Sequence, residues 1–170
     1  MTHAELILYA TPTGPLADAL ADLFERLRRD APTTAQTYPP HCTLTGFFHR
    51  ARTDVARAVD DARAAVAAAG PPTLVTVDRL RFAPDWIGLE LTAPWLLAVT
   101  EAFVDRHELA EGDDALRPKD WLHLSIAYGD GDLDAAARMA QRLDPTLVAG
   151  WDVGVWERDA DGSWTELSRP

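Results

Sequence analysis

His41-Cys42-Thr43-Leu44 and His123-Leu124-Ser125-Ile126 are two copies of one short pattern: a histidine, a spacer, a hydroxyl residue and an aliphatic residue. Both lie where polar and apolar positions alternate. A period of two is that of a strand, so the histidine and the hydroxyl two residues on share one face. Around the first copy His41, Thr43 and Thr45 fall on one side and Cys42, Leu44 and Gly46 on the other. Around the second, His123, Ser125 and Ala127 oppose Leu122, Leu124, Ile126 and Tyr128. Each strand then presents an imidazole beside an alcohol.

With 5 histidines in the chain, two such matches arise by chance with a probability of roughly 0.1, so context decides. A histidine in a strand is more often a hydrogen-bonded structural residue than a functional one. The other three lack this setting. His3 is near the start, His49 precedes an arginine-rich helix start, and His107 follows the helical run from Trp95 to Arg106, so they read as structural or solvated.

Working outward from the motifs gives a consistent order of elements. Glu5 to Ala10 reads as a strand, and Pro15 to Arg29 as an amphipathic helix with Leu16, Leu20, Leu23, Phe24 and Leu27 at helical spacing. Ala31 to Pro40 is a loop, and the first motif strand spans about His41 to Phe48. Thr53 caps a helix running to Ala69, which Gly70-Pro71-Pro72 ends. Thr73 to Phe82 and Trp86 to Leu91 form a hairpin around Ala83-Pro84-Asp85. Pro94 to His107 is a helix with proline in its first turn. Glu111 to Asp120 is an acidic loop containing Arg117-Pro118, and Trp121 to Tyr128 is the second motif strand. Asp132 to Leu143 is a helix, and Val148 to Trp156 with Trp164 to Leu167 closes the chain as a hairpin around Asp159-Ala160-Asp161-Gly162. The motifs lie about half the chain apart, and each half carries a motif strand between helices. A pseudo-twofold arrangement sets the two motif strands side by side, although no obvious identity links the halves.

Composition bounds the rest. The 170 residues, 47% of them hydrophobic, suit one domain or two small lobes sharing a core. Cys42 is the single cysteine, which rules out an intrachain disulfide and a cysteine-based zinc site. The start resembles no signal peptide and no run reaches the length of a membrane span, so a cytoplasmic location is the default expectation. A net charge of -11 with Lys119 as the only lysine argues against a grip on long nucleic acid. A small anionic substrate remains compatible. No carboxylate stands at ligand spacing in either motif, so a metal site built on both histidines has little support.

At these residues the chain resembles the two-histidine (2H) phosphoesterase superfamily, and within it the cyclic phosphodiesterases of plants and yeast. The likeness covers Leu8-Tyr9-Ala10-Thr11-Pro12 and its following helix, Tyr38-Pro39-Pro40-His41-Cys42-Thr43-Leu44, His123-Leu124-Ser125-Ile126-Ala127-Tyr128-Gly129, and the closing tryptophan-containing hairpin. It implies an α+β, two-lobed fold spanning residues 1–170. Pseudo-twofold duplicated antiparallel sheets, flanked by helices, meet near residues 83–94 around a central cleft. It also implies a monomeric, metal-independent hydrolase in RNA metabolism that opens a nucleoside 2′,3′-cyclic phosphate or ADP-ribose 1″,2″-cyclic phosphate without a cofactor, releasing a 2′- or 1″-phosphate.

The chemistry follows from the residues themselves. One neutral histidine takes a proton from attacking water while the other, protonated, gives one to the leaving ribose oxygen; which of His41 and His123 does which is open. Thr43 and Ser125 are candidate donors to the non-bridging oxygens, and Tyr128 a candidate wall for phosphate or base. Two departures from the family matter. Plant relatives carry additional cysteines that can pair, and the acidic balance disfavours 2′,5′-phosphodiester processing of long RNA. The competing reading is a nucleotide- or phosphate-binding module without turnover.

Overall fold

The computed structural model describes residues 3–73, 75–106, 113–159 and 162–168. Among these residues the protein is α+β, with four α-helices and one eight-stranded antiparallel sheet. The strands are β1 (His3–Thr13), β2 (Cys42–Thr43), β3 (Phe48–Ala51), β4 (Thr76–Ala83), β5 (Trp86–Thr92), β6 (His123–Tyr128), β7 (Gly150–Arg158) and β8 (Trp164–Ser168). The helices are α1 (Pro15–Asp30), α2 (Val55–Ala68), α3 (Pro94–Arg106) and α4 (Leu133–Ala140). The sheet runs β4-β5-β6-β2-β1-β7-β8, with β3 pairing β1 beyond the end of β2. Where duplicated sheets were expected, the strands join into a single one, because the two motif strands β2 and β6 hydrogen-bond to each other.

One face of this sheet is the core. Ala4, Leu6, Leu8 and Ala10 of β1, Cys42, and Leu124 and Ile126 of β6 pack with residues from all four helices in one cluster. The five apolar residues predicted for α1 are its buried ones, each contributing about 1.5–3 kcal/mol by leaving water. The opposite face carries the odd residues of β1, and there Ile7, Tyr9, Trp156 and Trp164 form a smaller cluster.

The first motif strand departs from its predicted course. Only Cys42 and Thr43 are strand; the chain then bulges before resuming as β3. β1 pairs Tyr9 with Thr43 but Leu6 with Phe48, so two extra residues are accommodated opposite it. The bulge leaves the Leu8 amide without a backbone acceptor, and the Thr45 hydroxyl takes its place, accepting that N–H at 3.1 Å. Residues 44–46 pair instead with the 117–119 segment. Gly46 N–H donates to the Arg117 carbonyl at 2.8 Å and Lys119 N–H to the Leu44 carbonyl at 2.9 Å. The acidic loop is held from beneath by Arg50, which is 1% exposed, reaches Asp113 at 3.5 Å and donates to the Asp114 carbonyl at 3.0 Å.

Other expectations shift at their ends. Thr53 does not cap α2: a 3-10 turn over Arg52–Asp54 precedes it, and Asp54 is its N-cap residue without a side-chain bond. His49 lies in a strand and pairs with Asp114 at 2.6 Å. α4 is shorter than predicted and is capped by Asp132, which accepts from Ala135 N–H at 2.9 Å. His107 and the start of the acidic loop, Glu111 and Gly112, lie outside the described residues, as do Ala160 and Asp161 at the tip of the β7–β8 hairpin. Among the described residues no helix is long and apolar enough to cross a membrane.

Candidate active site

The pairing of β2 with β6 decides the geometry. Cys42 lies opposite Leu124 in antiparallel register, which sets His41 across from Ser125 and Thr43 across from His123. Cys42 and Leu124 are fully buried in the core, so the two histidines and two hydroxyls stand on the other, open face. Each histidine thereby faces the hydroxyl of the other motif.

Both rings are held in one tautomer by the same device. His41 Nδ1 lies 2.8 Å from the Pro39 carbonyl oxygen, and His123 Nδ1 lies 3.3 Å from that of Trp121. A carbonyl only accepts, so each Nδ1 carries hydrogen and each Nε2 is left with its lone pair free for proton transfer. Their packing differs. His41 has Tyr9 at 4.0 Å between ring centroids and Tyr38 edge-on at 6.0 Å. His123 stacks on Trp121 at 4.1 Å and meets Trp86 edge-on at 5.2 Å.

Burial pulls both histidines below their ordinary value. For His41 the Pro39 bond opposes the shift, while the charge of His123 adds to it. For His123 the Trp121 bond and Glu90, its partner across β5, oppose it, and Lys119 adds to it. With both shifted down from 6.5, the neutral imidazole is the favoured form of each near pH 7.

The hydroxyls are set to donate. Trp86 Nε1–H donates to Ser125 Oγ at 2.9 Å, which occupies one lone pair and leaves the hydroxyl hydrogen available. The indole reaches there because Gly88, across from Ser125, has no side chain: a Cβ at that position would run into Trp86 and the Leu124 carbonyl oxygen. Thr45 repeats the arrangement, accepting from Leu8 while keeping its own hydrogen.

His41, Thr45 and Ser125 line a cavity of about 330 Å³, near the lower end of the roughly 300–1,000 Å³ usual for small-ligand sites. Of the five residues singled out by sequence, His41, Thr43, Ser125 and Tyr128 line it. His123 does not; the rings of Trp121 and Trp86 pack around it. Tyr128 is 38% exposed at the rim.

Sequence reasoning did not single out Tyr9, Tyr38, Thr45, Arg117 and Lys119 as cavity residues. The readable signal was composition: the chain has three tyrosines, and all three line this cavity. Burial, with Tyr38 and Tyr128 beside it, holds the Tyr9 phenol well above its ordinary value. Tyr38 is placed by the loop before β2, which is tied down rather than free. Gln36 accepts from Thr33 N–H at 2.7 Å and donates to the Ile126 carbonyl, and Tyr128 N–H donates to Thr33 Oγ at 3.2 Å. Cys42 lies on the far face, where burial pushes its thiol up to about 12. Among the described residues no three His, Cys, Asp or Glu side chains converge as a metal site.

No family model matches the chain. It is 22% identical over 162 residues to a Bombyx mori protein named ecdysteroid-phosphate phosphatase, an alignment covering 91% of this chain and 24% of that protein. The chain thus spans about a quarter of the length of the curated relative it matches, and that distant relative is a phosphatase.

Proposed function

We propose that this chain hydrolyses a cyclic phosphodiester, a nucleoside 2′,3′-cyclic phosphate or ADP-ribose 1″,2″-cyclic phosphate, by paired histidine acid–base catalysis without a metal. The observation that carries the reading is the β2/β6 register, which crosses two imidazoles with two hydroxyls on one open face, while each Nδ1 is taken by a backbone carbonyl and neither Nε2 has a hydrogen-bond partner among the described residues. Water attacks phosphorus in line; the neutral histidine takes its proton, the P–O bond to one ribose oxygen breaks, and the protonated histidine supplies that oxygen with hydrogen. The product is a phosphomonoester, and the resemblance to cyclic phosphodiesterases assigns the retained phosphate to the 2′ or 1″ oxygen. Both histidines start neutral, so the bound anion itself raises one of them to the imidazolium form. Thr43 and Ser125 donate to the non-bridging oxygens as their charge grows. Tyr128 forms the rim against which the rest of the substrate rests.

The order of elements supports the two-lobed reading. With β3 and β8 set aside, β1-α1-β2-α2-β4 and β5-α3-β6-α4-β7 are the same succession twice, dividing between β4 and β5 within the expected 83–94 region. In the sheet the third strand of each succession pairs with the first strand of the other. The phosphatase named as a distant relative agrees at the level of phosphoester chemistry. The test is incubation with both cyclic phosphates in excess EDTA. Wild type should turn over at least one, and His41→Ala and His123→Ala should each lose about 10²–10⁴-fold. Saturable binding without product would overturn hydrolysis in favour of a binding module.

A further inference from the structure

Of the two motif histidines, only His123 has a carboxylate as its cross-strand neighbour among the described residues. Glu90 of β5, 8% exposed, pairs in register with it, so both side chains rise from the same open face. Arg79 and Arg81 of β4 both donate to this carboxylate, Arg79 from Nε and Arg81 at 2.6 Å. Their bonds hold the Glu90 carboxyl below its ordinary value, so it is an anion at any pH where a histidine pair operates. Glu90 neither lines the cavity nor hydrogen-bonds to His123, whose Nδ1 is taken by the Trp121 carbonyl. What it brings to the site is a fixed charge.

His41 has other company. Ser125 stands across from it on β6, Tyr9 and Tyr38 pack against its ring, and the charge that bears on it is that of His123. Asp152, opposite Thr11, belongs to β7, with β1 in between. Charges of both signs face His123: Glu90 from β5 favours its protonated form, while Lys119, on the segment leading into β6, and His41 of β2 oppose it. Lys119 lines the cavity and borders a groove with Glu101 and Asp120, so an anion bound in the cavity offsets its charge. Glu90, outside the cavity, keeps its effect. Arg79 and Arg81 lie behind it with side chains 65% and 46% exposed, where water screens them more than the carboxylate they fix. Farther off, at the substrate, they cancel a carboxylate that alone would repel phosphate. We infer that Glu90, clamped by Arg79 and Arg81, is a positioning residue acting through His123: it favours the imidazolium there, which gives His123 the part of general acid and His41 that of general base. The inference rests on the hydrolase reading for what the two histidines do. Water's oxygen bonds to phosphorus and its proton passes to His41 Nε2; the P–O bond to the leaving ribose oxygen breaks, and that oxygen takes the proton of His123 Nε2.

NMR titration of the imidazole signals tests it without turnover, because two substitutions must act in opposite directions. E90Q should lower the His123 midpoint by at least about 0.5 pH unit, and R79Q, which removes a cation and leaves Arg81 in place, should raise it by about 0.2–0.5 pH unit, with His41 moving less than His123 in each. R79Q changes an exposed side chain and keeps the test decisive if E90Q fails to fold. In kcat/KM on 2′,3′-cyclic AMP the alkaline limb should follow His123, down in E90Q and up in R79Q, while the acid limb set by His41 stays in place. A His123 midpoint that stays put, moves the same way in both variants, or moves no more than that of His41 would overturn the role, as would movement of the acid limb instead. Loss of rate or melting temperature without these movements makes Glu90 a strand-pairing ion and nothing more. Turnover with unmoved His123 signals removes the role of Glu90 and keeps the hydrolase. Opposite movements without turnover keep the coupling of Glu90 to His123 and remove the hydrolase.

Discussion

Replacing Gly88 by alanine should damage this protein far more than the same change at Gly46, although both glycines sit in close quarters. At Gly88 the new Cβ would stand 2.8 Å from Trp86 Cε2 and closer still to Trp86 Cζ2 and the Leu124 carbonyl oxygen. The carbonyl belongs to β6 and cannot retreat without opening the β5–β6 ladder, in which Leu89 pairs with Leu124. Overpacking of this kind costs about 1–3 kcal/mol, and displacing the indole loses its bond to Ser125, about 0.5–1.5 kcal/mol. Against these stands a gain of about 0.4–1 kcal/mol from the less flexible unfolded chain. The balance is a loss of about 2–3 kcal/mol, or a fall in Tm of about 5–10 °C for a chain of this size. At Gly46 the nearest atoms are the 3.1–3.2 Å guanidinium end of Arg117, a flexible side chain that moves a few tenths of an ångström. Gly46→Ala should therefore stay within about 0.5 kcal/mol of wild type. Thermal unfolding followed by circular dichroism measures both. A Gly88→Ala melting point within about 2 °C of wild type, or equal losses at the two sites, would refute the claim that the rigidity of the neighbour sets the cost.

Three further outcomes follow from the site. Burial lowers both histidines from 6.5, so below that value the unfolded chain binds more protons than the native one and stability falls as pH drops. Urea midpoints between about pH 7 and pH 5, above the range where carboxylates titrate, should show this slope; His41→Gln with His123→Gln should flatten it, and an unchanged slope would count against the assignment. Cys42, buried and with its thiol pushed up to about 12, should be silent to a disulfide reagent in the native state and react fully in urea; rapid native labelling would contradict its placement. Trp86→Phe keeps a ring but removes the N–H bonded to Ser125, so kcat/KM on the cyclic phosphate should fall about 2–10-fold without the change in pH profile that a histidine variant brings.

How far the sequence reached is clearest where it stopped. The spacing of Leu16, Leu20, Leu23, Phe24 and Leu27 specified α1 because a helix in contact with a sheet buries one stripe and nothing else. Alternation placed His41, Thr43, His123 and Ser125 on the face away from Cys42 and Leu124, since the period of two survives whatever the strand pairs with. Alternation names no partner, however. Thr45 kept the expected face although the strand had already ended, and nothing local shows that residues 44–46 would leave β6 for 117–119. Pro118 carried a faint sign: it lacks an N–H, and it occupies the one position of that pairing where the neighbours Arg117 and Lys119 supply the bonds instead. The acidity of the surrounding loop concealed the two cations, because composition averages over residues that the backbone sends to different places.

The two histidines hold corresponding places on β2 and β6 and are fixed by unequal means, and this separates stability from function. His41 is tethered to the carbonyl of Pro39, whose conformation is restricted by the proline that follows it, and the bond is short at 2.8 Å. His123 has a looser tether of 3.3 Å to the Trp121 carbonyl and depends on stacking against the Trp121 ring at 4.1 Å. Trp121 is 49% exposed, so its ring adds little to the core while fixing the direction of His123. Trp121→Ala should cost no more than about 1 kcal/mol of stability, yet release the imidazole, lowering kcat on the cyclic phosphate about tenfold with little change in KM. Trp121→Phe, which restores a flat face, should recover most of the rate. The NMR signal of the His123 Nδ1–H provides a reading independent of turnover: present in wild type and Trp121→Phe, and broadened by exchange in Trp121→Ala. If the alanine variant keeps both the signal and the rate, the carbonyl tether alone orients His123, and the aromatic stack is packing without consequence for the chemistry.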